Sequence, residues 1–348
     1  MKYLLLGDTH LGARNGSSRF SKHFNKFFSD VLYPYVRDNN IETIIQLGDV
    51  FDNRTNLSYK AFHACKDQWF DPLGELGVEM HVLLGNHDIY HKNTLEINSP
   101  ELLLGQYEKI YVHKKPFILG KFGEADFDLV PWICAENQDE VLAFIGRKDR
   151  RAKYCAGHFE IAGFSMYRGG ETISHGLSPA IFDGYDRMFS GHYHHRSEKG
   201  NILYTGTPYE ITWSDFADPK GFHIVDTDKN TVEFIENPFT IFSRVVYNNG
   251  WSGDISSLSE KIVKLVVQEK KDLFLYDRFV DSLKLAGVYE LAIIENLDEF
   301  KDGEVDENID LEDSNAIIEN YIDGITTNLN KDKIKTYMRS LYNEALTL

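Results

Sequence analysis

The sequence predicts an α/β fold, a two-sheet sandwich flanked by helices, with a small α+β unit and C-terminal helices after it. Two observations carry this. Short apolar runs end in glycine plus a polar residue: residues 3–6 lead into Gly7-Asp8, 41–47 into Gly48-Asp49 and 80–84 into Gly85-Asn86. Such runs are buried strands whose ends place side chains along one rim of a sheet. Amphipathic segments at 20–38 and 58–76 lie between them, and strand–helix alternation is the signature of a layered α/β fold. Past residue 110 the pattern changes to strand-like runs at 110–113, 117–120, 127–131, 202–205, 222–226 and 231–235, separated by Gly, Asp and Asn turns. That pattern predicts a second sheet packed on the first.

The later elements follow in order. Residues 261–268 read as a strand, 273–285 as a helix and 288–294 as a strand, a small α+β unit. Residues 295–313 hold ten acidic residues and one lysine, the composition of a solvated linker. Apolar residues at 334, 337, 338, 341, 342 and 345 then recur at helical spacing within 331–346. The boundaries expected are a first domain over 1–240, a second over 241–294, a linker over 295–313 and a helical tail over 314–348.

With 348 residues, 42% of them hydrophobic and 13% aromatic, the chain is long enough for two domains with sizeable cores. Its formal net charge of −17 excludes a simple polycation that coats nucleic acid or anionic membrane. It does not exclude a nucleic-acid enzyme, because bound metals supply positive charge locally. Cys65, Cys134 and Cys155 are odd in number and lack metal-finger spacing, which points to a reducing compartment and to small core residues. The first apolar run is four residues long and no stretch approaches 18. A signal peptide and a membrane span are therefore not expected, and a soluble cytoplasmic protein is.

Five short motifs carry the chemistry: Asp8-Thr9-His10, Gly48-Asp49, Gly85-Asn86-His87-Asp88, Gly157-His158 and Gly191-His192-Tyr193-His194. Their carboxylate oxygens, amide oxygen and imidazole nitrogens suit divalent manganese, iron, zinc or similar ions. In extended backbone, residues i and i+2 point the same way, so Asp8 with His10, and His192 with His194, each form a claw. A lone Asp-x-His is weak and a lone histidine is usually structural. Five such motifs in strand-end positions predict a metal centre, because a set of polar caps does not explain why ligand types converge.

The five motifs resemble those of the calcineurin-like metallophosphoesterase superfamily. Leu6-Gly-Asp-Thr-His-Leu-Gly12, Gly48-Asp-Val-Phe51, Ser190-Gly-His-Tyr-His194, Tyr204-Thr-Gly-Thr-Pro208 and Lys220-Gly-Phe222 are similar to its SbcD-type DNA repair nucleases, which act with an SMC-like ATPase. The compact size and acidic tail are most similar to the T-even-type bacteriophage members. The resemblance covers residues 1–240 by motif and the rest by layout. It implies two divalent ions, Mn²⁺ foremost, with Mg²⁺ or Fe²⁺ as alternatives. Asp8, His10, Asp49 and His194 would hold the first, and Asp49, Asn86, His158 and His192 the second. His87 would face the scissile phosphate as general acid, with Asp88 orienting it. Two cations clamp a phosphodiester and lower the pKa of a shared water, while general-acid help is worth ~10²–10⁴-fold. One departure matters. Many SbcD-type members carry a histidine where this chain has Asp52, a residue tied in the family to handling DNA ends, so the balance of exonuclease and endonuclease action is open.

The partners so implied are double- and single-stranded DNA, a coiled-coil SMC-like ATPase subunit and a second copy of the chain. The dense basic stretch Arg147, Lys148, Arg150, Arg151 and Lys153 is either a phosphate-contacting rim or a solvated helix end. Arg14, Lys22 and Lys92 sit in or beside loops near the expected metal rim. Arg54 either contacts phosphate or pairs with Asp52. Residues 241–294 would cap the DNA, and the tail's apolar stripe either docks on the ATPase coiled coil or packs on its own domain. Helix 20–38, with Phe20, Phe24, Phe27, Phe28 and Leu32, is either a dimer surface or core. The leading function is a metal-dependent DNA nuclease, exonuclease and endonuclease, in an ATPase complex that processes ends in recombination and double-strand break repair. The alternatives are a phosphatase or small-molecule phosphodiesterase of the same superfamily, and a non-enzymatic metal-bound scaffold. Asp88 and Asn53-Arg54-Thr55 depart from the Ser/Thr phosphatase pattern. A scaffold has no need of His87.

Overall fold

The computed structural model describes residues 1–120, 125–295 and, within the tail, Lys331, Lys333 and Lys335, which are helical. The acidic linker beyond Glu295 and the rest of the expected tail lie outside the described residues.

The strands, in chain order, are β1 (Lys2–Leu6), β2 (Thr43–Gln46), β3 (Glu79–Leu83), β4 (Ile110–His113), β5 (Phe117–Leu119), β6 (Phe127–Val130), β7 (Tyr154–His158), β8 (Arg187–Gly191), β9 (Ser197–Lys199), β10 (Ile202–Tyr204), β11 (Gly221–Asp226), β12 (Thr231–Glu236), β13 (Phe242–Asn248), β14 (Ile262–Glu269) and β15 (Glu290–Ile294). They form three sheets, ordered β12-β11-β1-β2-β3-β4, β5-β6-β7-β8-β10-β9 and β13-β14-β15. β1 to β4 run parallel, as do β6, β7, β8 and β10. Parallel strands emerge at the same rim, so the ends of β1, β2, β3, β7 and β8 deliver their motifs to one place.

The alternation of side chains along each strand builds the layers. Tyr3 and Leu5 of β1 face inward, with Ile45, Leu47, Phe127, Leu129, Ala156 and Phe189, and make the core between the two large sheets. Leu4 and Leu6 face the other way, onto an aromatic layer of Phe20, Phe24, Phe27, Phe28, Trp69 and Phe70. A third core, with Val141, Ile145 and Phe182, covers the outer face of the second sheet through Cys155, Met188 and Tyr204. Phe20, Phe24, Phe27, Phe28 and Leu32 are between 0% and 4% exposed. The stripe on helix 20–38 is thus filled by the chain's own first sheet and is not available to a second copy.

Among the described residues up to 295 the α-helices are α1 (Ala13–Gly16), α2 (Ser18–Phe27), α3 (Tyr33–Asp38), α4 (Tyr59–Cys65), α5 (Asp71–Leu76), α6 (Ser99–Leu104), α7 (Gln138–Ile145) and α8 (Leu273–Leu285). The expected helices 20–38 and 58–76 are each broken by one π turn, Phe28–Leu32 and Lys66–Phe70. Each π turn lies just before a proline, Pro34 or Pro72. Proline lacks the N–H that an α-ladder needs and crowds the carbonyl four residues back, and one widened turn absorbs both problems. The third sheet carries α8 on one face, over a core of Val245, Tyr247, Val263, Leu265, Tyr276, Val280 and Leu283. Phe242 of β13 packs against Trp213, ring centroids 4.6 Å apart, and Glu210 Oε2 accepts the N–H of Ile241 (2.7 Å) and of Phe242 (2.9 Å). These contacts seat the small unit on the larger one. Among the described residues no helix is long and apolar enough to cross a membrane.

Candidate metal centre

Sharp backbone turns bring the motifs together. Gly48 (φ 100°), Asp49 (φ 50°), His10 (φ 40°) and His192 (φ 86°) all lie in the left-handed region, which costs strain in non-glycine residues and clusters at functional sites. A Cβ on Gly191 would lie 2.5 Å from Asp8 Oδ1, so only glycine lets that strand end approach the carboxylate. The turns are pinned to each other. The N–H groups of Thr9 and His10 donate to the Asp49 carbonyl (3.1 and 3.0 Å), and the Tyr209 hydroxyl donates to the Thr9 carbonyl (2.6 Å).

The seven residues expected as ligands meet at one rim. Asp8, His10 and His194 present donor atoms within 4.8 Å of one another, and so do Asp49, His158 and His192. Asn86 Oδ1 lies 2.9 Å from His158 Nε2 and 3.0 Å from His192 Nδ1. Asp49 Oδ2 lies 3.3 Å from His158 Nε2 and 3.9 Å from His10 Nε2, between the two groups. His158 donates Nδ1–H to the Leu47 carbonyl (2.8 Å), which turns Nε2 toward the group. Asp8 accepts the N–H of His192 (2.9 Å to Oδ2).

These donors fit divalent cations, and the electrostatics agree. Burial pushes the Asp8 carboxyl up to about 6. Burial works against charge on His10, yet Asp52, Asp49 and Asp8 outweigh it and raise the imidazole to about 9. Burial again opposes charge on His158, and Asp49 and Asp8 raise it to about 9. Burial and the neighbouring His10 depress His194 to about 3. The carboxylates thus favour positive charge on His10 and His158, and His10 Nε2 and His194 Nε2 stand 3.1 Å apart.

His87 belongs to neither group. Its ring lies 5.0 Å from that of His10, edge to face. Its backbone N–H donates to Asp49 Oδ1 (2.8 Å) and its Nδ1–H to the carbonyl of Asp52 (2.7 Å), so Nε2 is the free ring nitrogen.

Residues 1–196 match the sequence profile of the calcineurin-like phosphoesterases. The chain belongs to that family. Over 348 aligned positions this phosphoesterase is 32% identical to exonuclease subunit 1 of Enterobacteria phage T4, with 99% of each chain covered. It is 24% identical over 395 positions to the SbcD component of the SbcCD nuclease of Staphylococcus saprophyticus, again with 99% of each covered. Calcineurin-like phosphoesterases use divalent metals, and the two Asp/His groups of this phosphoesterase are able to hold them.

Several expectations need correction. Asp88 does not orient the His87 ring. Its carboxylate accepts the N–H of Gly85 (2.9 Å), Val50 (3.0 Å) and Phe51 (3.4 Å), tying the second motif to the third, while the Asp52 carbonyl orients His87. Asp52 also places Oδ1 3.4 Å from His10 Nδ1, so its side chain leans on a ligand candidate. Arg147 is not a free phosphate contact, since it pairs with the buried Asp128 (2.6 Å) and donates to the Phe144 carbonyl (2.6 Å). Arg150 lies over the Tyr185 ring at 4.0 Å and donates to the Ile145 carbonyl (3.3 Å). Lys22 pairs with Glu260 of the small unit. Lys92, Lys148, Arg151 and Lys153 are exposed, and Arg14 and Arg54 are half-buried. Sequence reasoning missed Trp132, whose ring packs 5.7 Å from His158 and 5.2 Å from His192. Its signal was there: it follows β6, another strand that ends at the same rim.

Proposed function

We propose that this chain is a two-metal DNA nuclease, using Mn²⁺ first among divalent ions, with exonuclease and endonuclease action on double- and single-stranded DNA. The observation that carries the reading is the pair of donor groups on either side of Asp49, with His87 beside them and outside both. Full-length likeness to proteins named as an exonuclease subunit and a nuclease subunit supports DNA as the substrate.

Asp8, His10, Asp49 and His194 would hold one ion, and Asp49, Asn86, His158 and His192 the other. When bound, the ions supply a phosphate clamp and a water activated for in-line attack. The chain supplies the rest. The Asp52 carbonyl holds the His87 ring by its Nδ1–H, so it is the Nε2 proton of the imidazolium that would pass to the leaving sugar oxygen, leaving the neutral Nδ1–H ring. Trp132 closes the flank beside His158 and His192. Exposed Lys92, Lys148 and Arg151 offer sequence-independent contacts to backbone phosphates. Residues 241–294 help grip DNA, and the tail over 314–348 docks on the coiled coil of an SMC-like ATPase. The assembly acts as a homodimer in the cytoplasm, of the host if phage-encoded, in recombination, replication and break repair.

The test is cleavage of linear double- and single-stranded DNA with Mn²⁺ or Mg²⁺, with and without the ATPase, beside a generic phosphomonoester. Manganese-dependent DNA degradation stimulated by the ATPase is expected. Brisk phosphomonoester turnover with inert DNA would move the chain to a phosphatase. Deleting 314–348 is expected to abolish co-purification with the ATPase while leaving basal cleavage intact, and retained association would remove that role from the tail.

A further inference from the structure

Lys220 is a lysine with its ammonium out of water, 4% exposed. Its Nζ donates to the His194 carbonyl (2.7 Å), to Asp215 Oδ1 (2.7 Å) and to Asp218 Oδ2 (3.0 Å). An ammonium has three N–H donors, and all three are used. A buried cation persists only when paired and hydrogen-bonded this completely.

Each acceptor leads somewhere different. Asp215 is anchored independently, because its Oδ2 accepts the N–H of Ile211 (2.9 Å) and Thr212 (2.8 Å) in a capping box. Asp218 reaches the other way, its Oδ1 accepting Nδ1–H of His195 (2.8 Å). The His194 carbonyl takes a second bond from the N–H of Thr207 (3.2 Å). Lys220 thus joins a rigid turn to the backbone of residue 194 on one side and, through Asp218, to the ring of residue 195 on the other. Two other ligand candidates are held through their side chains, His158 by its ring to Leu47 and Asp8 by its carboxylate to the N–H of His192, while the Asp49 and His10 carbonyls accept only backbone N–H groups. Residue 194 is the one whose carbonyl takes a bond from a buried ammonium.

We propose that Lys220 is a positioning residue for the Asp8–His10–His194 group. It sets the backbone from which His194 presents its ring, and the group on the other side of Asp49 does not depend on it. The inference rests on the metal-binding reading of both groups and is independent of the substrate.

The test is Mn²⁺ binding without DNA, by isothermal titration and by the paramagnetic resonance of ion pairs, on the full chain. The variants are Lys220→Met and Lys220→Met/Asp218→Asn. Lys220→Met leaves two buried carboxylates without their cation. The double variant leaves the buried net charge as it was and keeps the two backbone bonds to Asp215, so it decides the question if the single variant unfolds. Wild type is expected to bind two ions with a coupled-pair signal. The folded variant is expected to bind one ion as wild type does and the other about 10–100-fold more weakly, the usual effect of losing a partner behind a ligand, with the coupled signal lost at limiting manganese. Two ions at wild-type affinity, or equal weakening of both, would overturn the assignment. A wild-type chain that binds no manganese would remove the metal reading itself.

Discussion

Asp88 is placed to hold the metal rim together, and the size of that contribution follows from its bonds. The side chain is fully buried. It takes two firm backbone bonds, from Gly85 at 2.9 Å and Val50 at 3.0 Å, and a longer one from Phe51 at 3.4 Å. Asp88→Ala leaves at least two N–H groups buried and unpaired, at about 1–3 kcal/mol each. The expected loss is about 2–6 kcal/mol, a large part of a typical stability of about 5–15 kcal/mol. Asp88→Asn keeps one acceptor oxygen and turns a donor toward the other N–H, so it falls between. Urea unfolding followed by tryptophan fluorescence measures this without any substrate. If the residue acted only by orienting His87, both variants would be as stable as wild type and merely slow. An Asp88→Ala chain within about 0.5 kcal/mol of wild type, the range of an ordinary surface substitution, would refute the reasoning.

Arg147→Ala is expected to destabilise by about 2–4 kcal/mol, because it takes the cation from the buried Asp128 carboxylate and leaves it only the Tyr185 hydroxyl. Lys148→Ala with Arg151→Ala is expected to leave unfolding unchanged and to flatten the salt dependence of DNA binding by about one to two phosphate contacts; the opposite pattern would reverse the two roles. Burial depresses both His23 and His223 to about 3 from 6.5. The unfolded chain then binds more protons, and stability falls as pH drops below 6.5. At pH 5 the loss is about 2 kcal/mol for each histidine. Unfolding titrations from pH 8 to 5 check this, and a His23→Gln/His223→Gln chain with the wild-type slope would contradict it.

The parts of the fold visible in sequence were those whose signal is local. The runs before Gly7, Gly48 and Gly85 showed β1, β2 and β3 because apolar strands stop where a turn must begin. β7, Tyr154–His158, and β8, Arg187–Gly191, were not among the expected runs. Glycine within the first and Arg187 and Ser190 within the second blur a strand signal. The ligand candidates were legible because their types converge. What could not be read was carried by backbone atoms or distant partners: the Asp52 carbonyl on His87, the N–H groups on Asp88, and Asp128 beside Arg147, 19 residues away in sequence. The π turns show the same limit. Pro34 and Pro72 are plain in the sequence, but nothing local says that a helix will widen rather than stop.

The central claim is that His87 does chemistry beside the metal groups and is not part of either. Its ring contributes no donor to them, and its backbone N–H to Asp49 survives substitution. His87→Ser is therefore the most direct measurement, with manganese binding and DNA cleavage followed on the same preparation. Two ions at wild-type affinity with turnover lowered by ~10²–10⁴-fold, about 3–5 kcal/mol in barrier, is the predicted result. Loss of either ion, or cleavage within a few-fold of wild type, would contradict it.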